Sequence, residues 1–177
     1  PPGRTGRVVT EMVEGCLTGE TRAMYIVGEN PLLSEPDLHH AEKAISQLDF
    51  LVVQDLFLHE TAERAHVFLP AASFAEKEGT FTNSERRVQR VRAALPPPGE
   101  ARPDWWITCE LAKRIARRLG AKVTGQFDYA GAAEIFDEMA RLTPFLRGLS
   151  HARLDREGGI QWPCPAPEHP GTRYLYA

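Results

Sequence analysis

Cysteine is scarce in this 177-residue chain, and the three present, Cys16, Cys109 and Cys164, stand far apart. No C-x-x-C pair and no cysteine–histidine ligand spacing occurs, which argues against a zinc site or a disulfide framework and for reduced thiols, two of them on helix faces. The histidines give no better metal signal. His39 and His40 are adjacent and so point to different sides of a helix, as solvated surface residues do. No apolar run is long enough to cross a bilayer, and the opening Pro-Pro-Gly-Arg-Thr-Gly-Arg lacks the apolar centre of a secretory signal. A cytoplasmic location without a membrane segment is the expectation. A basic excess is missing too: 21 lysines and arginines face 24 acidic residues, a net charge of −3, which does not suggest a general nucleic-acid or membrane-surface binder. Neither G-x-G-x-x-G nor G-x-x-x-x-G-K-[ST] is present, so a nicotinamide fingerprint and a triphosphatase loop are unsupported.

What the chain does contain is an alternation of helical and extended segments. Val9, Met12, Val13, Cys16 and Leu17 follow helical spacing, with Gly19 as a stop. Ala23 to Gly28 is an apolar run without polar alternation and reads as a buried strand. Ser34-Glu35-Pro36-Asp37 offers helix-start chemistry, and Leu38, Ala41, Ile45 and Leu48 continue one apolar face. Phe50 to Val53 is a second strand ending at Gln54-Asp55, Thr61 to Ala65 a helical turn, and Val67 to Leu69 a third strand stopped by Pro70. Such an order predicts an α/β fold, a three-layer α/β/α arrangement with a mostly parallel, Rossmann-like sheet of the dinucleotide-binding type.

Ligands of open α/β sheets bind beyond the carboxyl ends of the strands. Here those loops are Gly28-Glu29-Asn30-Pro31, then Gln54-Asp55, then Pro70 to Ser73 leading into Glu76-Lys77-Glu78-Gly79. Gly28 permits close backbone approach. Asn30 offers amide donors and an acceptor, and Asp55 a carboxylate able to take paired N–H donors such as those of guanine. Lys77 offers a compact positive charge for phosphate, beside Thr80, Thr82, Asn83 and Ser84. These are also the residue types that turns favour for conformational reasons alone.

Four arginines, Arg86, Arg87, Arg90 and Arg92, fall within seven residues. Val88 to Arg92 partly alternates, so a strand with one polar face is the simplest reading, ahead of a dinucleotide contact and, third, a nucleic-acid patch. Leu95 to Pro103 is proline-rich, extended and stiff. Asp104 then stands at a helix N-cap position ahead of Trp105 to Leu119, where Ile107, Leu111, Ile115 and Leu119 recur every four residues. An acidic side chain there could also face a ligand's amino group.

The ordered stretches MYIVGENP, FLVVQDLFLHETAERAHVFLPAASFAEKEGTFTNSERRVQRV and PPPGEARPDWW resemble the molybdopterin oxidoreductases, most closely the catalytic alpha subunit of molybdenum- or tungsten-dependent formate dehydrogenases. The likeness covers roughly Gly6 to Gly120, and GGIQWPCPAPEHPGTRYLY is similar to the segment leading toward a C-terminal domain of those enzymes. It implies that residues 1–142 are part of a domain binding molybdopterin guanine dinucleotide, with 143–177 a Pro/Gly-rich tail. Gly28, Asn30 and Pro31 match the first cofactor loop, Gln54 and Asp55 the second, Lys77 the Glu-Lys-Glu-Gly motif, and Asp104 an acidic cofactor contact before the tryptophans. His59 departs from the threonine common at its position, and no contact is assigned to it. The family's iron-sulfur cysteines, metal-binding residue and substrate arginine have no counterpart here, so the chain resembles a fragment without catalytic or metal-binding residues of its own. Formate oxidation to carbon dioxide, the iron-sulfur cluster and the electron-transfer partner subunits would belong to the parent. Alternatives are another molybdopterin enzyme, of the nitrate reductase or respiratory complex I type, or a non-catalytic α/β interaction module.

Overall fold

The computed structural model describes residues 5–121, 125 and 127–175; the first four residues and Tyr176 of the tail motif lie outside them. The chain divides into two compact units, one of Pro1–Ala71 with Gly99–Asp104, the other of Ala72–Pro98 with Trp105–Ala177.

The first unit opens with helix α1 (Val9–Leu17), strand β1 (Ala23–Val27), the single turn α2 (Pro31–Ser34) and helix α3 (Leu38–Ile45). Strand β2 (Phe50–Asp55), the turn α4 (Glu60–Glu63) and strand β3 (Val67–Pro70) complete it. Asp37 caps α3 by accepting the His40 N–H at 3.0 Å, as its helix-start chemistry predicts. The three strands form a parallel sheet in the order β1-β2-β3, with Ala23 opposite Phe50 and Val52 opposite Val67. Cys16, Ala44, Ile45, Leu48, Leu51, Val53 and Ala62 form its buried core, against which Met24, Ile26 and Phe68 pack.

Burial along β1 alternates, a pattern that the apolar run Ala23–Val27 does not announce. Side chains of a strand point to opposite faces in turn. Met24 and Ile26 face the core, while Tyr25 and Val27 stay 44% and 48% exposed on the other face with Phe50 at 46%. The expected three-layer arrangement is therefore seen on one face only among the described residues, and β1 is half-buried rather than fully buried. Chain after Pro98 returns to this sheet: Ala71 and Arg102 form a parallel bridge, with the Arg102 N–H donating to the Pro70 carbonyl at 3.2 Å. That return carries Asp104 to the unit.

The second unit contains an antiparallel sheet, which corrects the expectation of mostly parallel strands. Strands β4 (Gly79–Thr82) and β5 (Arg87–Val91) form a hairpin, and β6 (Ile160–Gln161) pairs with β5. The Thr-Phe-Thr segment, expected as loop, is β4, because a four-residue connection lets it pair with β5. Asn83 closes that connection by accepting the Glu85 and Arg87 N–H groups, both at 3.0 Å. Helix α5 (Asp104–Arg118) begins at Asp104 itself, so this residue lies in the first turn rather than ahead of it. Helices α6 (Ala132–Leu142) and α7 (His151–Glu157) follow, separated by a short tight turn at Pro144–Leu146.

The core of this unit joins Val88 with Phe136, Ala140, Leu149, Leu154, Ile160 and Cys164. Residues beyond 143 thus contribute apolar core in spite of their proline and glycine content. Gly148 shows how closely they pack: a Cβ there would sit 2.1 Å from the Ala166 carbonyl oxygen. The arginine-rich strand is a brace. Arg86 donates to the Trp162, Thr172 and Arg173 carbonyls and stacks over the Trp162 ring. Arg87 reaches the Gly159 carbonyl at 3.1 Å, Arg90 the Gly79 carbonyl and Asp155, and Arg92 Asp155 as well.

His151 is buried against Phe136, with its Nε2 3.4 Å from the Arg90 guanidinium. Burial first, and then the Arg90 charge, pushes its pKa below the ordinary histidine value, against the opposing pull of Glu78, Asp155 and Asp137. The unfolded chain then binds a proton more readily than the folded one, so stability is lost as pH falls through the ordinary histidine range. His151→Leu should flatten that part of the dependence, measured as the unfolding midpoint between about pH 7.5 and 5.5. In the first unit, Leu51→Ala should cost about 2–5 kcal/mol in urea unfolding, since Leu51 is 1% exposed at the middle of the sheet.

Candidate functional site

The carboxyl ends of β1 and β2 gather most of the sequence-derived candidates. At the end of β1, Gly28 has φ +65°, a conformation that side chains with a Cβ rarely adopt, and its N–H extends the ladder to the Gln54 carbonyl at 2.9 Å. No atom would meet a Cβ built there within 4 Å, so this turn is open around its backbone. Asn30 then stands ahead of α2, and Pro31 begins it, where a missing N–H costs nothing.

The Asn30 amide is engaged inside the fold. Thr61, fully buried at the start of α4, donates its hydroxyl to Asn30 Oδ1 at 2.7 Å and accepts the Leu32 N–H at 3.1 Å. Asn30 Nδ2 donates to Glu60 Oε2 at 2.8 Å. That hydrogen bond is the main reason the Glu60 carboxyl titrates below its ordinary value. Asn30 therefore ties the loop after β1 to the loop after β2, a linkage that fixes both strand-end loops to each other.

At the end of β2, Gln54 and Asp55 point to opposite sides of the sheet. Gln54 is fully buried; its Oε1 accepts from the Tyr25 hydroxyl and its Nε2 donates to Asp104 Oδ1 at 2.7 Å. It is a bridge, holding an acidic residue 50 positions away in sequence against the strand end. Asp55 is half-buried. Its Oδ1 accepts the Leu56 N–H at 2.6 Å, and its Oδ2 lies 3.4 Å from His59 Nε2. His59 in turn caps α4, with Nδ1 accepting the Ala62 N–H at 3.3 Å.

Lys77 belongs to the second unit, in the loop ahead of β4, where Glu76 accepts the Ser73 N–H at 2.8 Å. Cys16, Cys109 and Cys164 are buried free thiols; burial raises the pKa of Cys16 and Cys109, which keeps both protonated near neutrality. Four participants escaped the sequence reading. Tyr25 read as an apolar strand residue, Thr61 as part of a helical turn, and Glu60 and His59 received no role. His59 directly precedes the turn α4 after a strand, the N-cap position where a side chain caps the first turn.

The family model for molybdopterin oxidoreductase matches residues 3–114, and the chain belongs to that family. Among its relatives, the F420-dependent formate dehydrogenase 2 subunit alpha of Methanococcus maripaludis is 51% identical over 89% of this chain and 22% of its own length. The F420-dependent formate dehydrogenase subunit alpha of Methanocaldococcus jannaschii is 48% identical over 97% of this chain and 24% of its own. The assimilatory nitrate reductase catalytic subunit of Bacillus subtilis is 41% identical over 98% of this chain, again 24% of its own length. The chain thus matches a segment of formate dehydrogenase alpha subunits and spans about a quarter of their length. Its fold is also that of part of the acetylene hydratase of Pelobacter acetylenicus, with a TM-score of 0.66 at 19% identity over 86% of this chain and 20% of that one.

Thr61 sets the geometry of the strand-end loops, and Thr61→Val should show it. The isosteric loss of the hydroxyl leaves the Leu32 N–H without its acceptor and should cost about 1–3 kcal/mol in urea unfolding, with Thr61→Ser much milder.

Proposed function

We propose that this chain is the part of a cytoplasmic formate dehydrogenase catalytic subunit that holds the guanine end of molybdopterin guanine dinucleotide, on a Rossmann-like strand-end site. The carrying observation is the Asp55 carboxylate, half-buried at the carboxyl end of a parallel strand and steadied by the Leu56 N–H. The residues around it suit such a ligand. Gly28 leaves backbone open to close approach, and Asp55, Asp104 and Glu60 make the first unit's strand ends rich in acceptors. Such a set attracts the paired N–H donors of guanine and repels phosphate. Lys77, in the loop ahead of β4, carries the compact positive charge that suits phosphate.

In this scheme Asp55 accepts the base's N–H pair. Gln54 supports from beneath, its buried amide fixing Asp104 as a second acceptor. Asn30 and Pro31 shape the first loop, and Gly28 lets its backbone turn. The bound molybdenum or tungsten would supply two-electron oxidation of formate to carbon dioxide in the parent subunit, with an iron-sulfur cluster and electron-transfer subunits beyond this chain. Residues 1–142 form part of the cofactor domain, and 143–177 lead toward a following domain. Identities of 51% and 48% to formate dehydrogenase alpha subunits, against 41% to the nitrate reductase, favour formate over nitrate. The buried free thiols are in keeping with a reducing, cytoplasmic setting.

An amide NMR titration of the chain with guanosine diphosphate tests this assignment, with adenosine diphosphate as the control lacking guanine's N–H pair. Saturable shifts near Gly28, Asp55 and Asp104 are expected with guanosine diphosphate, weakened about tenfold or more by Asp55→Asn. Equal responses to both nucleotides, or none at millimolar concentration, would remove the guanine assignment.

A further inference from the structure

His59, between β2 and α4, takes no part in the guanine-binding scheme. Its Nδ1 accepts the Ala62 N–H, which in a neutral ring places the proton on Nε2. Nε2 is buried without a hydrogen-bond partner and lies 3.4 Å from Asp55 Oδ2. Both side chains are only 14% and 15% exposed. An approach of 3.4 Å is an electrostatic contact short of a hydrogen bond. A buried N–H donor standing beside a carboxylate that it does not bond is placed to close onto it when a ligand organises the carboxylate.

We infer that His59 is a positioning residue for Asp55, an inference that rests on the guanine assignment above. The Leu56 N–H fixes one carboxylate oxygen and the His59 Nε2–H closes onto the other, so the carboxylate is held in a single rotation while it receives the base's N–H pair. His59 thereby joins two tasks in one ring. Nδ1 ends a helical turn, and Nε2 orients the acceptor.

The two tasks separate by substitution. In His59→Asn, the Asn oxygen replaces Nδ1 as the cap acceptor and the donor to Asp55 is lost. In His59→Gln, the amide nitrogen stands near the place of Nε2, and the cap acceptor is lost. Guanosine diphosphate affinity by NMR titration and the thermal unfolding midpoint are measured for each. His59→Asn should keep the midpoint and weaken binding about three- to tenfold, the size of one hydrogen bond. His59→Gln should lower the midpoint and keep affinity within about twofold. Combined with Asp55→Asn, His59→Asn should add no further loss, because the two residues act as one. Unchanged affinity in His59→Asn, or affinity that merely follows stability across the variants, would overturn the inference while leaving the guanine assignment intact. A wild-type chain that does not bind guanosine diphosphate would remove both.

Discussion

A carboxamide that is fully buried must find partners for its donor and its acceptor, or cost several kilocalories per mole of unfolding free energy. Gln54 sits at the end of the central strand of the first unit with no exposure at all. Its oxygen requires a donor, which the Tyr25 hydroxyl supplies from β1; its nitrogen requires an acceptor, which only a segment returning from beyond Pro98 provides, through Asp104. One buried amide therefore couples the pairing of β1 with β2 to the placement of an acidic residue far along the chain. Parallel register makes this possible. With Val27 opposite Gln54 and Tyr25 opposite Val52, Tyr25 and Gln54 fall on the same face of neighbouring strands, two positions apart along the ladder.

The opposite side of the same strand end is built by the same rule of satisfied polar groups. Thr61 is buried, so its hydroxyl both donates to Asn30 and accepts from Leu32, and the loops after β1 and β2 cannot move independently. The Asn30 amide consequently shapes the loop that follows β1. Among the sequence-derived candidates, Asn30 and Gln54 have their side-chain amides bonded within the fold. Asp55 keeps its acceptor capacity because only one backbone donor is bonded to it.

Charge is distributed by the same logic. The cluster from Arg86 to Arg92 is the most conspicuous basic feature of the sequence, yet its guanidinium groups are directed at carbonyls and at Asp155 within the second unit. Guanidinium is suited to this, with five fixed donors that satisfy several carbonyls at once. A basic run that closes a hairpin onto its own tail has many of its donors engaged within the fold, which leaves the strand-with-one-polar-face reading the simplest. The strand ends of the first unit carry the opposite sign, with the Asp55 and Glu60 carboxylates gathered there.

Local order was legible in the sequence, long-range partnership was not. Helical spacing and apolar runs locate α1, α3, β1, β2, β3 and α5, because those periods are written in adjacent residues. The open face of β1 was hidden, since an apolar run looks the same whether one face or two are covered, and only Tyr25 carries a polar atom there. Strand β4 was hidden because its Thr-Phe-Thr is typical of turns until β5 pairs with it. That Asp55 and Gly28 stand at strand ends could be read from residue type and position. The bridge from Gln54 to Asp104, across 50 positions, could not, because nothing local distinguishes a buried amide from an exposed one. The same limit explains His59. A histidine between a strand and a helical turn reads as a cap or as surface, and only when Asp55 is placed 3.4 Å from its second nitrogen does the ring acquire a direction. Which polar groups the loops leave on offer thus depends less on which residues they contain than on which of them the core has already claimed.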